Sequence, residues 1–117
     1  MNNKELLPLG SVVLLKNATH RLMVIGYAAI RYGENGKSSL VYDYWGCPYP
    51  EGQFESDQHM IFNHKDIKDI IAEGYSDDSE KKFRKRVENV LKQIRNDKNE
   101  LIVNAAQLAN IAGKESR

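Results

Sequence analysis

Three side chains in the middle of this sequence are of the types that hold a metal: Cys47, His59 and His64. A zinc site needs four donors at constrained spacing, and a lone cysteine with no C-x-x-C leaves the fourth donor to be improvised. Cys47 reads better as a small buried hydrophobe, and His64, between Asn63 and Asp66, as part of a hydrogen-bonded turn. No Ser/His/Asp motif, phosphate-binding glycine loop or carboxylate pair stands out. The expectation is therefore a protein without catalytic residues, metal or cofactor. The other chemical feature is a basic run, Lys81 to Arg86, KKFRKR. Beside a small β-barrel it could bind single-stranded RNA, with loop aromatics as stacking platforms. The plainer reading is a solvated helix face, since Asp77, Asp78, Glu80 and Glu88 flank it.

The stretch that must position most of these groups is Val41 to Gly52, VYDYWGCPYPEG. It contains the only Trp, the only Cys and two of the three Pro residues. It begins with strand-like alternation, and Gly46, Pro48, Pro50 and Gly52 then predict a loop from Gly46 onward. Trp45 and Tyr49 are costly to leave in water, so that loop is either packed or used for binding.

The chain is 117 residues long, enough for one domain. Its 17 basic and 16 acidic residues set up no global field toward nucleic acid or membrane. The charge is uneven, however: residues 1–76 carry 7 basic and 9 acidic side chains, residues 77–117 carry 10 and 7. No apolar leader and no run of membrane-spanning length is seen, and one Cys suits a reducing compartment, so a cytoplasmic protein is expected.

In chain order, SVVLLK (11–16), RLMVIGYAAIR (21–31) and 38–45 read as three strands of an antiparallel meander. Gly26 marks a bulge and 33–37 a hairpin loop. Met60-Ile61-Phe62 reads as a short strand. Asn63 with Asp66 then predicts a helical turn that either continues through Ile67, Ile70 and Ile71 or gives way to a last strand ending at Gly74. Asp77 with Glu80 has the form of a capping box. Phe83, Val87, Val90, Leu91 and Ile94 recur at helical spacing behind it, and Leu101, Ala105, Leu108 and Ala112 form a second stripe ended by Gly113. The fold class predicted is α+β: a small antiparallel, barrel-like sheet of about five strands, with an SH3-like arrangement as one form, then one or two amphipathic helices. Residues 1–76 make the β part and 77–117 a helical extension packed on it, within a single domain. Val13, Leu15, Met23, Ile25 and Tyr42 are the expected inner face of the sheet.

Several of these segments together resemble one family. They are Leu9-Gly10-Ser11-Val12-Val13-Leu14-Leu15-Lys16, Leu22-Met23-Val24-Ile25-Gly26, Tyr42-Asp43-Tyr44, Gly46-Cys47, Tyr49-Pro50-Glu51-Gly52, Phe62-Asn63-His64, Asp66-Ile67 and Gly74-Tyr75. The family is one of small proteins encoded in Gram-positive bacteria beside type VII secretion toxins. The likeness covers about residues 7–80, in family order, and its aromatic PEG loop is the most specific part. It implies a cytoplasmic chaperone or adaptor that holds an LXG-type or nuclease toxin and presents it to the secretion ATPase. Secreted cargo of that pathway carries W-x-G and Y-x-x-x-D/E signals. Here Trp45 is followed directly by Gly46, and none of the six Tyr residues has an acid four positions on. The expected partner surface is Trp45, Tyr49 and Phe54 with the helical stripe Phe83, Val87, Val90, Leu91 and Ile94, insofar as that stripe is not core. The sequence leaves open whether the chain forms a homodimer.

Overall fold

A computed structural model describes residues 5–53 and 59–115. The elements are β1 (Val12–Leu15), β2 (Leu22–Arg31), β3 (Leu40–Pro48), β4 (Met60–Phe62), a 3₁₀ turn at His64–Asp66, β5 (Ile67–Ala72), α1 (Asp78–Ile94) and α2 (Ala105–Glu115). The fold is α+β, with a five-stranded antiparallel sheet in the order β4-β3-β2-β1-β5 followed by two helices. The sheet is not closed, so β4 and β5 are edges. The β2–β3 hairpin turns where Asn35 and Gly36 both take positive φ, 55° and 82°. The expected bulge lies between Val24 and Gly26, where the register with β3 slips.

Two expectations need correction, on β3 and on Leu101, and of the two alternatives for residues after the turn the strand holds. β3 does not break at Gly46 but pairs on through Cys47 and Pro48. Glycine serves packing there, because a Cβ at position 46 would lie 2.8 Å from Phe62 Cε1. Pro48 is tolerated because it ends the strand. Residues 67–72 form a strand against β1, so the helical spacing of Ile67, Ile70 and Ile71 is incidental. Leu101 is not helical; it bridges to Arg95, and α2 starts only at Ala105 and runs past Gly113. Its start is set by Asn104 and Gln107, each side chain accepting the other's amide, at 2.8 and 2.9 Å.

The sheet's buried face also differs from the predicted one. Val13 is fully buried as expected, but in β2 the core residues are Leu22 and Val24, while Met23 and Ile25 are half-buried. Leu15 packs partly against the core, and Tyr42 is half-buried where Val41 and Tyr44 are buried. A one-residue shift exchanges the faces of a strand.

Helix α1 starts as read: Asp77 accepts the Glu80 amide at 2.9 Å. Its residues Val87, Leu91 and Ile94 join Val13, Leu22, Val24, Val41, Tyr44 and Phe62 in one core. Residues 5–9 lie as a strap between helix and sheet, with Leu6 and Leu7 buried. Burial of such a leucine contributes about 1.5–3 kcal/mol, but only if the strap's backbone polar groups find partners. All four of Leu6 and Leu7 do. The Leu6 amide donates to Glu88 Oε2 at 3.0 Å, and the Leu6 carbonyl accepts from Arg84 Nη1. The Leu7 amide donates to the Tyr44 hydroxyl at 2.9 Å, and the Leu7 carbonyl accepts from the Tyr27 hydroxyl at 2.6 Å. Among the described residues, no helix is long and apolar enough to cross a membrane.

Candidate functional site

An open groove of about 1430 Å³ lies between β5 and α1. Ile67, Lys68, Asp69 and Ile70 of β5 form one wall. Lys85, Glu88, Leu91, Lys92 and Arg95, from α1 and its C-cap, form the other. Leu6 of the strap, Asp43 of β3 and His64 of the 3₁₀ turn also line it.

A polar network connects the groove to the core. The Tyr44 hydroxyl lies 2.7 Å from His64 Nδ1. The His64 amide donates to Asp43 Oδ2 at 2.8 Å, and Arg95 Nη2 donates to Asp43 Oδ1 at 2.6 Å. Asn63, whose own amide is held by Asp66 Oδ2 at 2.9 Å, accepts the Asp43 amide at 2.9 Å. Tyrosine, histidine and aspartate adjoin here, but the arrangement is not that of a nucleophile and its base. Asp43 spends its two oxygens on a backbone amide and a guanidinium. Burial, reinforced by the Asp43 charge, pushes the Tyr44 phenol well above its usual range, so its proton stays on. Burial first, and the Glu80 charge second, push Tyr27 up to about 12. Both hydroxyls act as neutral clamps on Leu7.

The predicted site residues are scattered. Trp45 is half-buried across Gly26, its ring 5.4 Å from His59. Tyr49 is half-buried, with the Arg21 guanidinium 5.1 Å above its ring. Phe54 lies outside the described residues. Phe83 is 45% exposed, its ring 6.3 Å from Tyr27. Val90 packs partly against the core, and Val87, Leu91 and Ile94 belong to it. Of these, Leu91 alone reaches the groove. The basic run is divided too: Arg84 is buried on the strap and Arg86 half-buried, while Lys81, Lys82 and Lys85 are exposed. Cys47 is buried on β3 opposite Met23, its thiol pushed up by burial. Among the described residues no cluster of three or more His, Cys, Asp or Glu could hold a metal.

Sequence reasoning missed the groove's own residues, Lys16, Lys65, Lys68, Ile70 and Lys92. The one local signal was the mixed pattern of β5, where Lys68 and Asp69 precede two isoleucines. Charges on a short strand are a mark of an unpaired sheet edge.

Fold and groove together define a small α+β domain with an open sheet edge beside a helix. The chain belongs to the family described as Domain of unknown function (DUF4176), whose model matches residues 6–83. That span takes in Leu6 and Leu7 of the strap, all five strands and the first six residues of α1. No curated protein and no solved structure matches the chain.

Proposed function

We propose that this protein is a non-enzymatic adaptor that binds another protein, with the groove and its β5 edge as the contact face. The observation that carries the reading is the exposure of Ile70 and Ile71, at 46% and 51%, on a strand that pairs on one side only. Adjacent strand residues point to opposite faces. Apolar exposure on both faces of an edge suits a surface that is covered in use. The family resemblance supplies the partner: a type VII secretion toxin, held in the cytoplasm and passed to the secretion ATPase.

The test is co-purification from a Gram-positive host with the toxin encoded alongside. The wild-type protein should retain the toxin, and Ile70→Asp with Ile71→Asp should release it while remaining a folded monomer, because both side chains are exposed. Recovery of no protein, of RNA in its place, or of an activity on a small metabolite would overturn the reading.

A further inference from the structure

We infer that the groove takes an extended, acidic segment of the partner protein, which adds a sixth strand along the free edge of β5. This rests on the protein-binding reading above and specifies what the site recognises.

The edge comes first. β5 pairs with β1 alone, so one row of its backbone amides and carbonyls lies outside the sheet. Ile67, Lys68, Asp69 and Ile70 are consecutive, and all four line the groove. Since successive side chains alternate between faces, four in a row at one concavity mean that the concavity meets the strand along its edge. An exposed edge is a template for an added strand. The 6 residues of β5 offer about 20 Å of it, matched by an extended segment of about six residues.

Charge selects the segment. Within the lining, Arg95 is tied to Asp43, and Glu88 is committed to the Leu6 amide. Lys16, Lys65, Lys68, Lys85 and Lys92 remain, all exposed, and among the described residues none of the five makes an ion pair. The other acids of the lining are Glu5, Asp69 and Asp97, and Glu88 keeps its charge while accepting that amide, so the five lysines outnumber the acids not paired with Arg95 by one. Lysines left unpaired around a concavity raise the local concentration of acidic ligands. Leu6, Leu91, Ile67 and Ile70 supply apolar surface in the same lining. The complementary ligand therefore alternates acidic and aliphatic residues, the pattern that an added strand presents to two different surroundings.

The test titrates isotope-labelled full-length protein with the blocked peptide acetyl-Glu-Val-Glu-Val-Glu-Val-amide. Amide resonances of Lys68–Ala72 should shift. Affinity should fall about tenfold or more when alternate peptide nitrogens are methylated, because the added ladder is lost. It should fall similarly between 0.05 and 0.5 M salt, by about tenfold, because exposed charges are then screened. Lys68→Glu with Lys92→Glu should abolish binding without unfolding the protein, since both side chains are exposed. No response at β5, undiminished binding of the methylated peptide, equal occupancy by oligouridine, or self-association through β5 would each overturn the inference. If the Lys68→Glu/Lys92→Glu variant still captures the toxin, the groove inference fails and the adaptor reading stands. If the peptide binds as described but no toxin is captured, the toxin assignment fails and the groove inference stands.

Discussion

Removal of a single oxygen, in Tyr44→Phe, tests whether the strap is held as described. The Tyr44 side chain is fully buried, and its ring stacks on Phe62 at 5.2 Å, so the phenyl ring keeps its packing. Two hydrogen bonds go, to the Leu7 amide at 2.9 Å and to His64 Nδ1 at 2.7 Å. Each contributes about 1 kcal/mol net, and the Leu7 amide left without a partner in a buried place costs about 1–3 kcal/mol more. The sum is about 3–5 kcal/mol, a large part of the roughly 5–15 kcal/mol that holds a domain together. Tyr27→Phe removes a donor from the Leu7 carbonyl, a half-buried site that water can reach, and should cost only about 1 kcal/mol. The double variant should cost less than the two singles added together. Once one clamp is lost the strap lifts, and the second has nothing left to hold. Urea titration followed by the fluorescence of Trp45, the only tryptophan, measures all three. A loss below about 0.5 kcal/mol for Tyr44→Phe, or strict additivity in the double variant, would refute the clamp.

Ile94→Glu should unfold or aggregate the protein, because it forces an unpaired charge into a position 1% exposed, whereas Phe83→Ser should change stability by about 1 kcal/mol or less; gel filtration and thermal melting distinguish them, and a folded Ile94→Glu monomer would place the α1 stripe outside the core. In alkali, Tyr27 ionises at about 10 in the unfolded chain and about 12 in the fold. Its raised value is a stabilising contribution present in full below pH 10 and lost as pH climbs toward 12, so wild type should lose stability faster than Tyr27→Phe across that window in urea titrations at stepped pH, and parallel curves would show that Tyr27 is not buried as described.

How far the molecule could be read in advance depended on whether the deciding contact was local. The β2–β3 hairpin, the Asn63–Asp66 turn and the Asp77 cap rest on residues within a few positions of one another, and each was legible. The inward face of β2 was not. Residues 22–25 are Leu, Met, Val and Ile, so no alternation marks a side, and the choice falls to the partners across the sheet and to α1. Gly46 looked like a strand-breaker because Phe62, whose ring needs the space, lies sixteen positions later. Ile67, Ile70 and Ile71 satisfy a helical period and a strand equally, and only the pairing with β1 separates the two. The groove was beyond reach for the same reason: its walls come from a strand and a helix that know nothing of each other in sequence, and its lysines are spread from position 16 to position 92.

The strap sets an order of events during synthesis. Leu6 and Leu7 precede every strand, yet the bonds that fasten them come from residues 20, 37, 78 and 82 positions away. At about 5–20 residues per second, Glu88 follows Leu6 off the ribosome by roughly 4–16 s. The five strands are made during that interval, the last of them near its end, and until α1 follows, two leucines and the core they seal stay open to water and to other nascent chains. The molecule is made from its seal inward and can close only when α1 arrives. Residue 83, where the shared family pattern ends, falls one position short of Arg84, the first of the two α1 side chains that fasten the strap.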